Sequence, residues 1–308
     1  MALALALVLA PALPLAGAVA PSAAQDVPRV VQVGVISAVA WPAELPLAME
    51  LAALADGPAT WPGLGRREPR PLRIVVVPDR RRLAELTGGR APPWGAAIAL
   101  PDARTIVLRA DAGDLPETLR HELAHLALRE AVRVRLPRWF DEGYASYAAG
   151  EWNRLDALTI NLAVARGAVP ELSALDDALR GPAPTAAVSY ALAMSAVIEL
   201  ARRNPTGTLD PLLGLLERGE RFEVAVGRTT GLNAARFAAE WRRGIRRRFG
   251  LVTWMAAGGA WAIVALAVLA VARYRRMADR PRRAALNEGW VVAEDEPPPD
   301  LDRAPEGE

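Results

Sequence analysis

An uncharged apolar run near the carboxyl end limits what this chain can fold into. Residues 251–272 are 22 consecutive residues without a charged side chain, and arginines flank the run on both sides. At about 1.5 Å per residue, a helix of this length crosses a hydrocarbon layer of about 30 Å. Trp254 and Tyr274 lie near its ends, where aromatic residues favour the membrane interface. The sequence therefore predicts one transmembrane helix over residues 251–272.

A second uncharged run occupies residues 2–20, and small residues follow it up to Ala24, before Gln25. This order is typical of a secretory signal peptide and its cleavage site. Prolines at positions 11 and 14 disfavour a spanning helix. The sequence thus predicts a signal peptide over residues 1–24. Because no basic residue follows Met1 directly, a retained anchor is one alternative, and a buried helix is another.

Export of the amino terminus fixes the expected orientation of the chain. A single span places residues 25–250 outside the cytoplasm and residues 273–308 inside it. The protein is therefore expected in the cell membrane as a single-pass protein with its amino-terminal domain outside the cytoplasm. The cytoplasmic tail begins with arginines and ends in an acidic, proline-bearing stretch. Such a composition cannot bury a core, so we expect the tail to be disordered.

Composition excludes several classes of function. The chain has no cysteine, which excludes disulfides, iron–sulfur clusters and cysteine nucleophiles. It also has no lysine, which excludes Schiff-base chemistry and a P-loop. Its 37 basic residues are balanced by 35 acidic ones, for a net charge of +2. We therefore expect no nucleic-acid partner.

Strand patterns come first between the two apolar runs, and helical patterns follow. Strands are predicted over residues 29–39, 72–77, 96–100 and 105–108. Helices are predicted over residues 114–132 and 139–149 and over most of 152–248. The expected fold class is α+β, with a small amino-terminal sheet and then a helical lobe.

The first long predicted helix carries the chemistry. It contains His121-Glu122-Leu123-Ala124-His125, and these are the only two histidines in the chain. Residues four apart share one helix face, so both imidazoles can bind one metal ion. Glu122 lies about 100° around the helix from His121, from where it can serve as general base for a metal-activated water.

A catalytic zinc site of the usual tetrahedral kind requires a third protein ligand and one open position. Since there is no third histidine, a carboxylate must supply that ligand. The next predicted helix offers Asp141 and Glu142, and sixteen residues separate His125 from Glu142. That length permits a turn and an antiparallel return, and it leaves both carboxylates as candidates.

The sequence H-E-L-A-H followed by W-F-D-E-G-Y-A-S-Y resembles the gluzincin zinc peptidases, most closely the peptidase MA-like family. The resemblance covers about residues 70–248, and it implies a thermolysin-like catalytic domain over 70–250, preceded by a strand, helix and linker over 25–69. It further implies one Zn²⁺ per chain, bound by His121, His125 and Glu142, with Glu122 as the general base.

The implied function is a membrane-anchored zinc metallopeptidase acting on a peptide or protein substrate. No segment resembles the G-x-M-E-N sequence that holds a substrate amino terminus in aminopeptidase-N-like enzymes, which favours an endopeptidase. The resemblance also implies a tyrosine or histidine that stabilises the oxyanion, and because no further histidine exists, one of the four tyrosines is the option. Tyr190, which opens a predicted helix after a proline-rich loop, is the candidate, with ordinary packing as its alternative role. The competing hypothesis is a catalytically inactive, peptidase-like binding or scaffold module at the membrane.

Overall fold

The computed structural model describes residues 27–151, 154–249 and 259–280. The chain divides into two compact units between Phe249 and Gly250. The first unit is a mixed α/β structure, mostly helical with a small sheet, which confirms the expected order of sheet and helical lobe. The predicted signal peptide, the first part of the predicted span (251–258) and the tail after residue 280 lie outside the described residues.

Strands in the described part of the first unit form two sheets. Their bounds are β1 Arg29–Val33, β2 Ile36–Ala40, β3 Ala59–Trp61, β4 Gly65–Arg67, β5 Leu72–Val77, β6 Ala97–Leu100 and β7 Thr105–Arg109. The main sheet has the order β1-β2-β5-β7-β6. Its three inner strands are parallel and its two outer strands are antiparallel to their neighbours. β3 and β4 pair with each other as a separate hairpin.

The helices of this unit follow the predicted pattern. Their bounds are α1 Leu45–Ala55, α2 Arg80–Thr87, α3 Leu115–Ala131, α4 Arg138–Ala149, α5 Arg154–Ala165, α6 Leu175–Ala178, α7 Ala183–Arg203, α8 Asp210–Glu217, α9 Phe222–Thr230 and α10 Ala234–Arg248. Short 3₁₀ turns occupy Pro101–Ala103 and Leu172–Ala174. In the second unit, α11 spans Ala260–Ala278.

The prediction of one strand over residues 29–39 is wrong, because the segment forms the two antiparallel strands β1 and β2. Gly34 adopts φ 56°, a left-handed conformation that ends the first strand. The carboxylate of Asp56 accepts a hydrogen bond from the Val35 N–H at 2.7 Å. A Cβ at position 34 would overlap that carboxylate, so the turn requires glycine.

Helix α3 lies between the sheet and the helical layer. Leu115, Leu119 and Leu126 pack with α1 and the sheet. Ala124 and Leu128 pack instead with the helices of the second layer. The start of α3 is the predicted one, since the Asp114 side chain accepts the Glu117 N–H at 3.0 Å. The helix is therefore held from two sides and capped at its first turn.

Helices α4 and α7 approach each other very closely. A Cβ on Gly143 of α4 would lie 2.6 Å from the backbone carbon and oxygen of Ala193 in α7. Among the described residues, α7 is the helix long and apolar enough to cross a membrane, and 56% of that apolar stretch is buried inside the protein. Its apolar composition is accounted for by its place in the helical layer.

The contact at Gly143 leads to a stability prediction. Gly143→Ala is expected to lower the free energy of unfolding by about 1–3 kcal/mol, because the added methyl group collides with rigid backbone. Urea unfolding followed by circular dichroism measures this change. Gly244→Ala is the matched control, since a Cβ at that exposed helical position meets nothing within 4 Å. It should stabilise by up to about 1 kcal/mol. Equal stability of wild type and Gly143→Ala would contradict the close contact.

Candidate metal centre

Three potential metal ligands from two helices meet at one point. His121 and His125 come from α3, and Glu142 comes from the adjacent helix α4. The two Nε2 atoms lie 3.2 Å apart. The Glu142 Oε2 atom lies 3.7 Å from Nε2 of His121 and 3.5 Å from Nε2 of His125. The structure thus brings together the three residues that the sequence analysis named as ligands.

The spacing of these atoms fits a small cation. Ligands at 2.0–2.1 Å from a tetrahedral ion lie about 3.3–3.4 Å from one another. The observed triangle of 3.2, 3.5 and 3.7 Å is close to this value without rearrangement. Two imidazole nitrogens and one carboxylate oxygen are a donor set that suits zinc. The group could therefore hold a metal ion and leave a fourth position for another ligand.

Each histidine is oriented by a carboxylate on its far side. His121 Nδ1 lies 2.6 Å from Glu151 Oε1, and His125 Nδ1 lies 2.9 Å from Asp141 Oδ1. A proton on each Nδ1, donated to these carboxylates, leaves Nε2 free to bind a metal. Asp141, the other candidate for third ligand, therefore lies on the far side of His125 from the three converging atoms.

The two carboxylate oxygens of Glu142 have different partners, one of which is an arginine. Arg138, one turn earlier in α4, places Nη2 3.1 Å from Glu142 Oε1. The other oxygen, Oε2, faces the histidines. Glu142 is thus arranged to offer one oxygen to an ion, while the second oxygen is held by the guanidinium.

The carboxylates of the cluster favour positive charge on the imidazoles. Burial raises the pKa of Glu142, but hydrogen bonds from His121 and His125 outweigh it and hold that pKa well below its usual range. Burial lowers the pKa of His121, but hydrogen bonds to Glu142 and Glu151 raise it to about 9. Carboxylates likewise raise the pKa of His125 despite its burial. The imidazoles therefore carry protons that a metal ion would displace.

Glu122 is buried beside the cluster, with 8% of its surface exposed. Burial raises the pKa of its carboxyl group, and the neighbouring histidines and the backbone N–H of Ala99 offset part of that rise. Ala99 belongs to β6, which among the described residues has β7 on one side and no strand of its sheet on the other. Glu122 thus lies near both the three potential ligands and the edge strand β6.

Tyr190 of α7 closes another side of the cluster. Its ring centroid lies 6.2 Å from that of His121. Burial raises the pKa of Tyr190, and the charge of Glu142 and a hydrogen bond to it raise the pKa further. By contrast, Tyr144 is fully buried and donates to the carbonyl of Pro62 at 3.0 Å, which is a packing role. The placement of Tyr190 is consistent with a phenol that keeps its proton and donates it.

Sequence reasoning missed three participants in the site: Glu151, Trp94 and the backbone of Ala99. Glu151 follows the α4 C-cap Gly150, whose φ of 84° turns the chain back toward His121. Trp94 precedes β6, packs edge-on against Tyr190 at 6.0 Å and donates its indole N–H to the Gly181 carbonyl at 3.2 Å. The glycine after α4 and the Pro-Pro-Trp-Gly stretch were the available signals, and neither specifies a long-range partner.

Comparison with known families gives a match over residues 70–247, more than half of the chain, to the family described as the Peptidase MA superfamily. No curated protein matches the sequence. The matched region begins just before β5 and ends in α10, so it contains every side chain of the metal centre.

Replacing each carboxylate of the Asp141-Glu142 pair separates a metal ligand from an orienting residue. Glu142→Ala is expected to abolish stoichiometric zinc binding, because it removes one of three ligands. Asp141→Asn should keep the site but weaken its affinity by about 10–100-fold, as expected for an outer carboxylate. Metal analysis of the dialysed full-length chain and competition with a zinc chelator measure both effects. Retention of zinc by Glu142→Ala together with loss in Asp141→Asn would reverse the assignment.

Proposed function

The chain belongs to the peptidase MA superfamily, and from this premise we propose that it is a zinc-dependent metallopeptidase of the gluzincin type. The observation that carries the proposal is the meeting of His121, His125 and Glu142 with a buried carboxylate, Glu122, beside them. One zinc ion per chain is the proposed cofactor, with these three side chains as its ligands. The proposed reaction is hydrolysis of a peptide bond.

Glu122 is the proposed general base. A zinc ion at this site would act as a Lewis acid, polarising a peptide carbonyl and increasing the acidity of water. Glu122 would accept the proton of the attacking water and deliver it to the leaving nitrogen. Its raised pKa suits the role of base, since burial makes the carboxylate bind a proton more strongly than an exposed glutamate does.

Tyr190 is the proposed stabiliser of the developing oxyanion. Its hydroxyl keeps its proton at neutral pH because burial and Glu142 raise its pKa. It can therefore donate a hydrogen bond to the carbonyl oxygen as negative charge develops there. Its ring is held between His121 and Trp94, so little reorganisation is required.

The proposed substrate is an extended stretch of polypeptide. An extended peptide can pair with the free edge of β6 by backbone hydrogen bonds, as an added strand does. Because Glu122 bonds to Ala99 of that strand, a peptide bound there would lie beside the proposed base. Strand addition does not require a chain end, which favours the endopeptidase activity expected from the sequence.

We also propose that the enzyme is anchored in the cell membrane by residues 251–272, with an amino-terminal signal peptide and the catalytic domain outside the cytoplasm. Trp261, Leu266 and Leu269 of α11 are 77%, 68% and 69% exposed. Contiguous exposed apolar side chains of this kind favour a lipid or protein environment over water. Arg273, Arg275 and Arg276 follow in the last turns of α11, as expected at a cytoplasmic boundary.

Glu122→Gln tests the proposed mechanism. The variant should bind zinc as the wild type does, because no metal ligand changes, but it should lose hydrolysis of a mixed peptide library. Mass spectrometry of the products and metal analysis of the same preparation give the two measurements. Glu117→Gln, the same change five residues earlier on α3, serves as the control and should remain active.

Two outcomes would reject the enzyme proposal in different ways. Unchanged turnover in Glu122→Gln would exclude Glu122 as the base. A wild type that contains zinc and binds peptides without cleaving them would favour the alternative of an inactive binding or scaffold module.

For Tyr190→Phe, we expect kcat to fall by about 10²–10³-fold with KM nearly unchanged, since one oxyanion donor is lost.

The membrane anchor is tested by alkaline extraction of membranes from cells expressing the full chain. The wild type should stay in the membrane pellet. Ala262→Arg with Ala265→Arg should release the chain, because each central arginine costs about 2.5–3.5 kcal/mol of insertion free energy. Leu158→Arg, at an exposed apolar position in α5, is the control and should not release it. Extraction of the wild type would contradict a transmembrane anchor.

A further inference from the structure

We propose that the back of helix α3 forms a second binding site, for an acidic amphiphile that has one anionic head and one apolar chain, as a fatty acid does. The site is a cleft of about 720 Å³ between α3, the end of α1, the β3–β4 hairpin and the segment leading into β5. This volume lies within the range of about 300–1,000 Å³ typical of small-molecule sites. The inference does not depend on peptidase activity.

The cleft is separate from the metal centre. On α3 it is lined by Leu119, Leu123 and Ala127, at the i, i+4 and i+8 spacing of one helix face. His121 and His125 are each two residues further along, about 200° around the helix. A ligand in the cleft therefore occupies the opposite side of α3 from the imidazoles.

The floor of the cleft is apolar. Its side chains come from α1, the β3–β4 hairpin and α3, and they are Leu54, Trp61, Leu119, Leu123, Leu126 and Ala127. Trp61 and Leu119 are nearly fully buried, whereas Leu54 at the entrance is 56% exposed. An apolar chain laid on this floor would gain free energy in proportion to the apolar surface that it removes from water.

The rim of the cleft is strongly basic. Five arginines line it, against two glutamates: Arg66, Arg67, Arg70, Arg104 and Arg120, and Glu68 and Glu130. Glu130 is shared between Arg70 and Arg104, so one carboxylate serves two guanidinium groups. Arg66 pairs with Glu68, and Arg67 pairs with Glu217 outside the lining. Arginine keeps its charge at all relevant pH values, so the rim attracts an anion throughout.

Arg120 is the best-placed group to receive that anion. Its Nε donates to the Ala148 carbonyl at 2.8 Å and its Nη2 to the Thr60 carbonyl at 3.3 Å. Its guanidinium carbon lies 5.0 Å from the centre of the Trp61 ring. These contacts fix the side chain, and in the described part of the chain no carboxylate pairs with it. Arg120 therefore presents a preorganised positive charge above an apolar floor, where a carboxylate head would be bound.

An apolar floor below a basic rim selects for both parts of the ligand. A neutral hydrocarbon would make no ion pair with the arginines of the rim, and a highly charged polyanion would make few contacts with the apolar floor. The cleft is therefore suited to a molecule that is apolar along most of its length and acidic at one end.

Photo-crosslinking of the full-length chain in its membrane tests the proposal. The probe is a medium-chain fatty acid with a diazirine near its methyl end, and the matched probe is the alcohol of the same chain length. Mass spectrometry of the digested protein locates the crosslinks. We expect the acid to label α3 residues of the floor, or Trp61, about tenfold more strongly than the alcohol does, as the loss of a charge-assisted hydrogen bond predicts.

Variants assign the head and the chain to separate parts of the cleft. Arg120→Gln should weaken labelling by the acid about tenfold, and Arg81→Gln on the exposed face of α2 should not change it. If thermal unfolding shows that Arg120→Gln is destabilised, the exposed pair Arg66→Gln and Arg70→Gln replaces it, with a smaller loss expected. Ala127→Phe, which fills the floor, should reduce labelling by both probes.

Equal labelling by acid and alcohol, or crosslinks outside the cleft, would overturn the proposal. Competition by an acidic peptide but not by unlabelled fatty acid would also overturn it and would assign the cleft to a protein segment. The Glu122→Gln variant should be labelled like the wild type, so a failure of the peptidase mechanism is distinguishable from a failure of this site.

Discussion

The absence of a side chain at Gly143 sets the positions of the groups around the metal centre. Packed helix axes are usually about 8–10 Å apart, and a Cβ at this point would lie 2.6 Å from the α7 backbone. Because α4 and α7 touch here, Glu142 reaches the α3 histidines on one side and Tyr190 on the other. The glycine next to Glu142 thus supports the geometry of its neighbour, which is a structural reason for the E-G pair in the sequence.

The carboxylates around the two imidazoles require positive charge nearby to balance their negative charge. Four carboxylates surround the two imidazoles: Glu122, Asp141, Glu142 and Glu151. Arg138 pairs with one oxygen of Glu142 and the more exposed Arg129 with one oxygen of Asp141, so two arginines face four carboxylates. Protons on the imidazoles, or a divalent cation in their place, complete the balance. A cation bound only by the folded chain would also stabilise the fold by mass action.

Local sequence patterns were sufficient to predict part of the site. The contacts between distant segments could not be predicted from them. The capped start of α3 and the pairing of β6 with β7 could be predicted, because each depends on residues within one short segment. The family match supports the resemblance, yet spacing alone left Asp141 and Glu142 equivalent, since both lie in the first turn of α4. The contacts of Glu151 with His121 and of Trp94 with Gly181 join distant segments, so no local pattern encodes them. The strand predicted over 29–39 was wrong because its apolar pattern continues through Gly34, where the backbone turns.

The free edge of β6 exposes the protein to misassembly. An unpaired strand edge accepts any extended segment, including an edge from a second molecule, and this is a common route to aggregation. Two features limit that risk: β6 is only four residues long, and the buried carboxylate of Glu122 lies beside the Ala99 backbone. A foreign strand would have to displace a buried carboxylate before it could pair fully. While no substrate is bound, the contact between the proposed base and Ala99 thus also hinders pairing of the β6 edge with a foreign strand.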